Sequence, residues 1–162
     1  MPLRAFCSSC SFVTSVPPPG PRCCGRIGDD VVEAVCSHLV AEGWRIDSRV
    51  LATEHGDDIV ASRGDARLIV EAKDAGSCKE GTKRYGSHFN LGQVKTHVAV
   101  AVLRALGVTS AGQAHAALAL PDDERHRRVL APVLPALTRE AITVYLMSDE
   151  LAVRIVSASG EL

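Results

Sequence analysis

Asp58, Glu71 and Lys73 are the residues whose types and spacing suit chemistry. Asp58 heads the apolar stretch Ile59-Val60-Ala61, and Glu71 closes Leu68-Ile69-Val70, thirteen positions after Asp58. Ser62-Arg63-Gly64-Asp65, between the two stretches, has the composition of a tight turn. The spacing predicts two antiparallel strands, 58–61 and 66–73, with Asp58 and Glu71 side by side at one end. Glu71 and Lys73 are two apart on a strand, so their side chains share a face. Two carboxylates and an ammonium therefore converge at the mouth of a buried sheet. Carboxylates held that close repel one another unless a cation lies between them. Hard oxygen ligands favour Mg²⁺ or Mn²⁺. Such an ion clamps a phosphate and lowers the pKa of a bound water, which a neighbouring lysine orients or deprotonates. This is equipment for hydrolysing a phosphodiester.

The elements that must position these groups follow from periodicity. Ile27, Val31, Val35 and Leu39 recur every four residues and predict a helix over 27–43, stopped by Gly43. A short strand from Trp44 to about Leu51 precedes the hairpin. Residues 91–106 predict a second helix, well buried and ended by Gly107, and 115–120 a strand. Pro121-Asp122-Asp123-Glu124 opens a third helix running to about Arg139, bent by Pro132 and Pro135. Strands at 142–147 and 151–156 flank a Ser148-Asp149-Glu150 turn. The order predicts an α/β fold with a mixed central sheet flanked by helices.

The string Gly56-Asp57-Asp58-Ile59-Val60-Ala61, followed by Glu71-Ala72-Lys73, resembles the PD-(D/E)xK motif of the restriction-endonuclease-like nuclease superfamily. Asp57 stands where that pattern often has Pro. The element order resembles the superfamily's αβββαβ core over roughly residues 27–120, leaving the last helix and hairpin as a C-terminal extension. The resemblance implies a metal-dependent nuclease acting on DNA, with RNA as the other polymer the chemistry admits. It implies metal ligation by Asp58, Glu71 and the Ala72 carbonyl, with Lys73 activating water. It also implies that Gln93, opening the second helix, faces the site. His97 is one turn further along that face, with Lys95 nearby. Many relatives carry a metal-linked Glu on the first helix. Here that position holds Val32, with Glu33 beside it. Helical phase places Glu33 away from the apolar stripe, so it is expected to be a solvated surface residue.

Residues 74–90 predict a long loop directly after this strand, and loops of that length are usually functional or mobile. Lys79, Lys83, Arg84 and His88 lie within it against Glu80 alone, which suits contact with a nucleic-acid backbone. Tyr85 either stacks on a base or packs on the fold. His55 is expected in a turn. Arg125-His126-Arg127-Arg128 is expected to form a solvated face neutralised by Asp122, Asp123 and Glu124.

Composition bounds these readings. The chain has 162 residues, a formal net charge of −1, 46% hydrophobic and 23% charged residues. That suits one globular domain and excludes a histone-like polycation. Aromatics, at 4%, leave little for base stacking. No apolar run approaches the ~18 residues of a membrane span, so no membrane partner is expected. Residues 1–25 stand apart from the domain at 26–162. They hold Cys7, Cys10, Cys23, Cys24 and the Pro17-Pro18-Pro19-Gly20-Pro21 run. Cys7 and Cys10 have the bite of a Zn²⁺ knuckle, but adjacent Cys23 and Cys24 do not, so unligated thiols in a disordered leader are the other reading. Cys36 reads as a small buried hydrophobe, and Cys78 lacks any partner pattern. No secretory pattern follows Arg4, so a cytoplasmic location is expected. A nuclease this small is expected to recognise structure, to act as a homodimer or to be directed by a partner protein, in repair, restriction or phage defence. The alternative is a catalytically silent module of the same fold that binds nucleic acid or docks a partner.

Overall fold

A computed structural model describes residues 28–50, 57–76 and 88–156. The cysteine-rich leader, His55, Cys78 and most of the basic loop, with Lys79, Lys83, Arg84 and Tyr85, lie outside the described residues.

The elements are α1 (Gly28–Ala41), β1 (Arg45–Arg49), β2 (Ile59–Arg63), β3 (Ala66–Ala72), α2 (Leu91–Ala111), β4 (His115–Pro121), α3 (Glu124–Leu130), α4 (Leu134–Arg139), β5 (Thr143–Met147) and β6 (Val153–Val156). The six strands form one sheet in sequence order, from β1 to β6. β1, β2 and β3 form an antiparallel meander, β3, β4 and β5 run parallel, and β6 returns antiparallel. The mixed sheet flanked by helices is therefore the architecture, as the periodicity predicts.

Each face of the sheet has its own core. Val31, Val35 and Leu39 of α1 pack on Ile59, Ala61, Leu68, Val70, Ala117 and Ala119. On the other face, Val94, Val98, Ala101, Ala105 and Val108 of α2 meet Leu118 and Leu120, with Leu130 of α3 and Leu134 and Leu137 of α4 beside them. β4 is the central strand, and its run of small and apolar residues suits burial on both faces. In β3 the alternation sends Leu68, Val70 and Ala72 toward α1. Ile69 packs on the α2 side. Glu71 shares the parity of Ile69, and so does Lys73 just past the strand end, so both face the α2 layer.

Three helix predictions need correction. α2 does not stop at Gly107 but runs to Ala111, where Gly112 caps it at φ 68° with its N–H on the Thr109 carbonyl. The apolar stripe continues through Val108, and its burial carries the helix past a glycine whose missing side chain faces open space. The third helix is two helices rather than one bent one. Pro132 has no N–H to continue α3, whereas Pro135 sits in the first turn of α4, where none is needed. α2 is also the one described helix long and apolar enough to cross a membrane by length and composition. One face of it packs on the sheet, but Val100, Leu103 and Leu106 are exposed, so the expectation of a well-buried helix is corrected: only the stripe from Val94 to Val108 meets the strands.

The two glycines of this helix should respond oppositely to alanine. Gly112→Ala forces a side chain into left-handed backbone and should cost about 1 kcal/mol. Gly107→Ala adds a methyl to open helix surface and should gain about 1 kcal/mol. Thermal melts read these as shifts of about 2–4 °C in opposite directions. Equal signs would mean that the helix does not end at Gly112.

Candidate active site

The register of the first hairpin brings the chemistry together. Ile59 pairs with Val70, so the next step of the antiparallel ladder sets Asp58 opposite Glu71. The Asp58 carbonyl accepts the Val50 N–H of the β1 side at 2.9 Å, which pins its backbone. Its carboxylate Oδ2 accepts the Ala72 N–H at 2.7 Å. The Lys73 N–H donates to the Ala119 carbonyl of β4 at 2.9 Å. Strand alternation therefore turns the Ala72 N–H and carbonyl the other way, toward β2 and Asp58. The Lys73 ammonium forms an ion pair with Glu71 and lies 3.9 Å from Asp58 Oδ2. All three side chains are a quarter exposed or less, at the carboxyl ends of the parallel strands. In open α/β sheets that edge is where ligands bind.

Burial pushes the Asp58 carboxyl above the ordinary carboxylate range, and the charge of Glu71 adds to it. The Ala72 N–H and Lys73 pull the other way without cancelling the rise. A carboxylate under that pressure gains from a cation.

α2 closes one side of the site. His97 is half-buried, with its ring edge-on to Phe89 at 4.4 Å between centroids. Burial holds its pKa below the usual histidine value, helped by the charge of Lys73 and then of His126. Its Nδ1 is buried and has no hydrogen-bond partner among the described residues. Gln93 occupies the expected position at the helix start, and its amide oxygen takes part in the cap. Gln93 Oε1 accepts the Asn90 N–H at 3.0 Å, and Asn90 Oδ1 accepts the Gln93 N–H at 3.0 Å. That reciprocal pair satisfies orphan donors of the helix. Lys95 is exposed.

Glu33 is exposed and pairs with Arg49 at 2.5 Å, as a surface residue on the α1 layer. His88 is exposed at the end of the basic loop. There it bridges to Gly76, and the Phe89 N–H donates to the Ala75 carbonyl at 3.0 Å. Both ends of the loop are thus tied together directly after Lys73.

Three features escape the sequence reading. Arg104 of α2 forms an ion pair with Asp57, across 47 positions. Nothing local signals it. Asp122 pairs with Arg127 at 2.6 Å, in line with the expected neutralisation of the basic run, but also with Arg154 of β6 at 3.1 Å, which nothing local signals. His126 is fully buried rather than part of a solvated face, and its Nδ1 bonds Asp123 Oδ2 at 2.8 Å. Here a signal existed, because Asp123 is an N-cap residue three positions before His126.

No group of three or more His, Cys, Asp or Glu side chains gathers as a metal cage among the described residues. The donor set is two carboxylates and the Ala72 carbonyl. Mg²⁺ binds through one or two carboxylates and keeps several waters, so this oxygen set fits Mg²⁺ or Mn²⁺. The cysteines with Zn²⁺ spacing, Cys7, Cys10, Cys23 and Cys24, lie outside the described residues. No protein-family model matches the chain, and no curated protein sequence matches it.

Proposed function

We propose that the chain is a metal-dependent nuclease that hydrolyses phosphodiester bonds of DNA. One observation carries this reading: Asp58 and Glu71 lie opposite each other on neighbouring strands, with Lys73 in ion-pair reach of both. The αβββαβ element order around them is a second support. A bound Mg²⁺ or Mn²⁺ would supply positive charge for the phosphate and acidity for an attacking water. The Ala72 N–H holds Asp58 in place for that task. Lys73 stands between the two carboxylates, where its ammonium can orient the water and balance the charge that builds on phosphorus. Water adds to phosphorus as the bridging P–O bond breaks, and the departing oxygen takes up a proton.

The Lys73–Glu71 pair also favours a second reading, a module that binds nucleic acid without cleaving it, because an ion pair can be purely structural. Supercoiled plasmid, linear duplex and single-stranded DNA with Mg²⁺ or Mn²⁺ separate the two. Metal-dependent cleavage by the wild type, lost in Lys73→Ala, is the expected result. Tight binding without cleavage in any form would favour the second reading. Cleavage that survives the substitution would mean that the site is misassigned.

A further inference from the structure

We propose that Arg104 of α2, paired with Asp57 in the free protein, is a phosphate-binding residue of this same site. The inference rests on the nuclease reading and adds to it a residue that no motif marks. Gln93, His97 and Arg104 recur at i, i+4 and i+11, so they share one flank of α2. Arg104 on that flank reaches Asp57, the neighbour of Asp58, and His97 on the same flank packs on Phe89, which follows the loop after Lys73. His97 and Arg104 lie about 10 Å apart along the helix.

Charge gives Arg104 a task. Asp57, Asp58 and Glu71 place three carboxylates at this edge, opposed by Lys73. One divalent cation would only bring that set to neutrality. Arg104 adds a further positive charge beside that set, which favours contact with a polyanion. The guanidinium is half exposed, with 52% of its side chain open to solvent, and its contact with Asp57 runs through Nη2. A planar fork with five donors can keep that contact and still present N–H groups to a phosphate. Asp57 is also the residue that replaces the more usual Pro of the motif, so the departure and the arginine form one device.

A structural ion pair and a phosphate clamp predict different outcomes. If the pair only ties β2 to α2, Arg104→Ala and Asp57→Asn break the same contact and act alike. A half-exposed pair contributes little to stability, so both variants should fold. For a clamp, the two substitutions act in opposite directions. Binding of a fluorescent duplex oligonucleotide, followed by anisotropy with Ca²⁺ in place of Mg²⁺, reads this directly. Arg104→Ala should weaken binding about ten- to a hundredfold. It should also lower the slope of log affinity against log salt by about 0.9. Asp57→Asn should bind as tightly as wild type or more so, since it removes a carboxylate facing the polyanion. Arg104→Lys should recover only part of the loss, because an ammonium lacks the fork. Unchanged affinity in Arg104→Ala, with wild-type cleavage intact, overturns the clamp and leaves the nuclease reading standing. Equal losses in Arg104→Ala and Asp57→Asn also overturn it. A wild type that neither binds nor cleaves nucleic acid removes both.

Discussion

Asp58→Asn should abolish Mg²⁺-dependent cleavage and leave the protein as stable as before, or more stable. The loss of activity should be about a thousandfold or more, since a metal-bound charge at a phosphate is worth several kcal/mol. The stability change follows from burial. The folded protein holds the Asp58 carboxyl above its ordinary range, chiefly because burial disfavours its charge. A raised acid binds its proton more tightly in the folded state than in the unfolded one. Its ionisation therefore costs nothing below the unfolded value, and the cost is fully present once pH rises above the folded value. At neutral pH the wild type carries that cost. Asparagine removes the charge, and its side-chain oxygen can still accept the Ala72 N–H that Asp58 accepts now. A higher melting temperature is expected near pH 7, with the difference shrinking as pH falls through the ordinary carboxylate range. Adding Mg²⁺ should raise the melting temperature of the wild type and not that of the variant. A fall of several degrees would mean that the contact with Lys73 outweighs burial. A metal shift that persists in the variant would place the ion elsewhere.

Asp123→Ala should be the most destabilising single change at a polar residue described here, at about 2–3 kcal/mol. Asp123 caps α3, with Oδ1 accepting the His126 N–H at 2.9 Å. Losing such a cap costs about 1 kcal/mol. Its other oxygen bonds Nδ1 of His126, a side chain with 0% exposure whose Nε2 has no hydrogen-bond partner among the described residues. Alanine would leave a buried imidazole with neither nitrogen bonded, which adds about 1–2 kcal/mol. The melting temperature should fall by about 4–12 °C at neutral pH. Acid should narrow the gap. Burial alone would raise the Asp123 carboxyl, but the hydrogen bonds and charge of His126 overcome it and bring it down to about 2. A lowered carboxylate stabilises the fold above its unfolded value, near 4, and that contribution is lost as pH falls toward about 2. Because Asp123 is 39% exposed, solvent screening reduces this part to about 1 kcal/mol. Melting curves at pH 7 and pH 2.5 measure both parts. A loss under 0.5 kcal/mol at pH 7 would show that His126 finds another partner.

The hairpin that carries the site was legible because its signals are short-range. The strands run further than the composition suggests: Ser62 and Arg63 pair with Arg67 and Ala66, the turn is Gly64-Asp65 alone, and that register puts Asp58 opposite Glu71. The helix boundaries were less legible. Gly107 has the composition of a stop, yet buried area at Val108 outweighs a propensity cost of about 1 kcal/mol. Gln93 opens α2, and Asn90 three positions earlier completes a capping box that takes its amide oxygen, a local bond that the site reading did not include. His126 sits in a run of basic residues that reads as solvent-facing. Its burial depends on how α3 packs against α2, which no run of charges encodes.

Sequence by itself determined the α/β class, the mixed sheet and the opposition of two carboxylates beside a lysine. All three rest on period-two alternation, turn chemistry and helical periodicity, which act within about twenty residues. Tertiary structure alone decided which layer covers the site and which α2 residues border it. It also joined Arg104 to Asp57 and buried His126 on Asp123. The layer and the α2 contacts depend on how α2 crosses the sheet. That crossing is set by the fit of Val94, Val98, Ala101 and Ala105 against the central strands, not by any local rule.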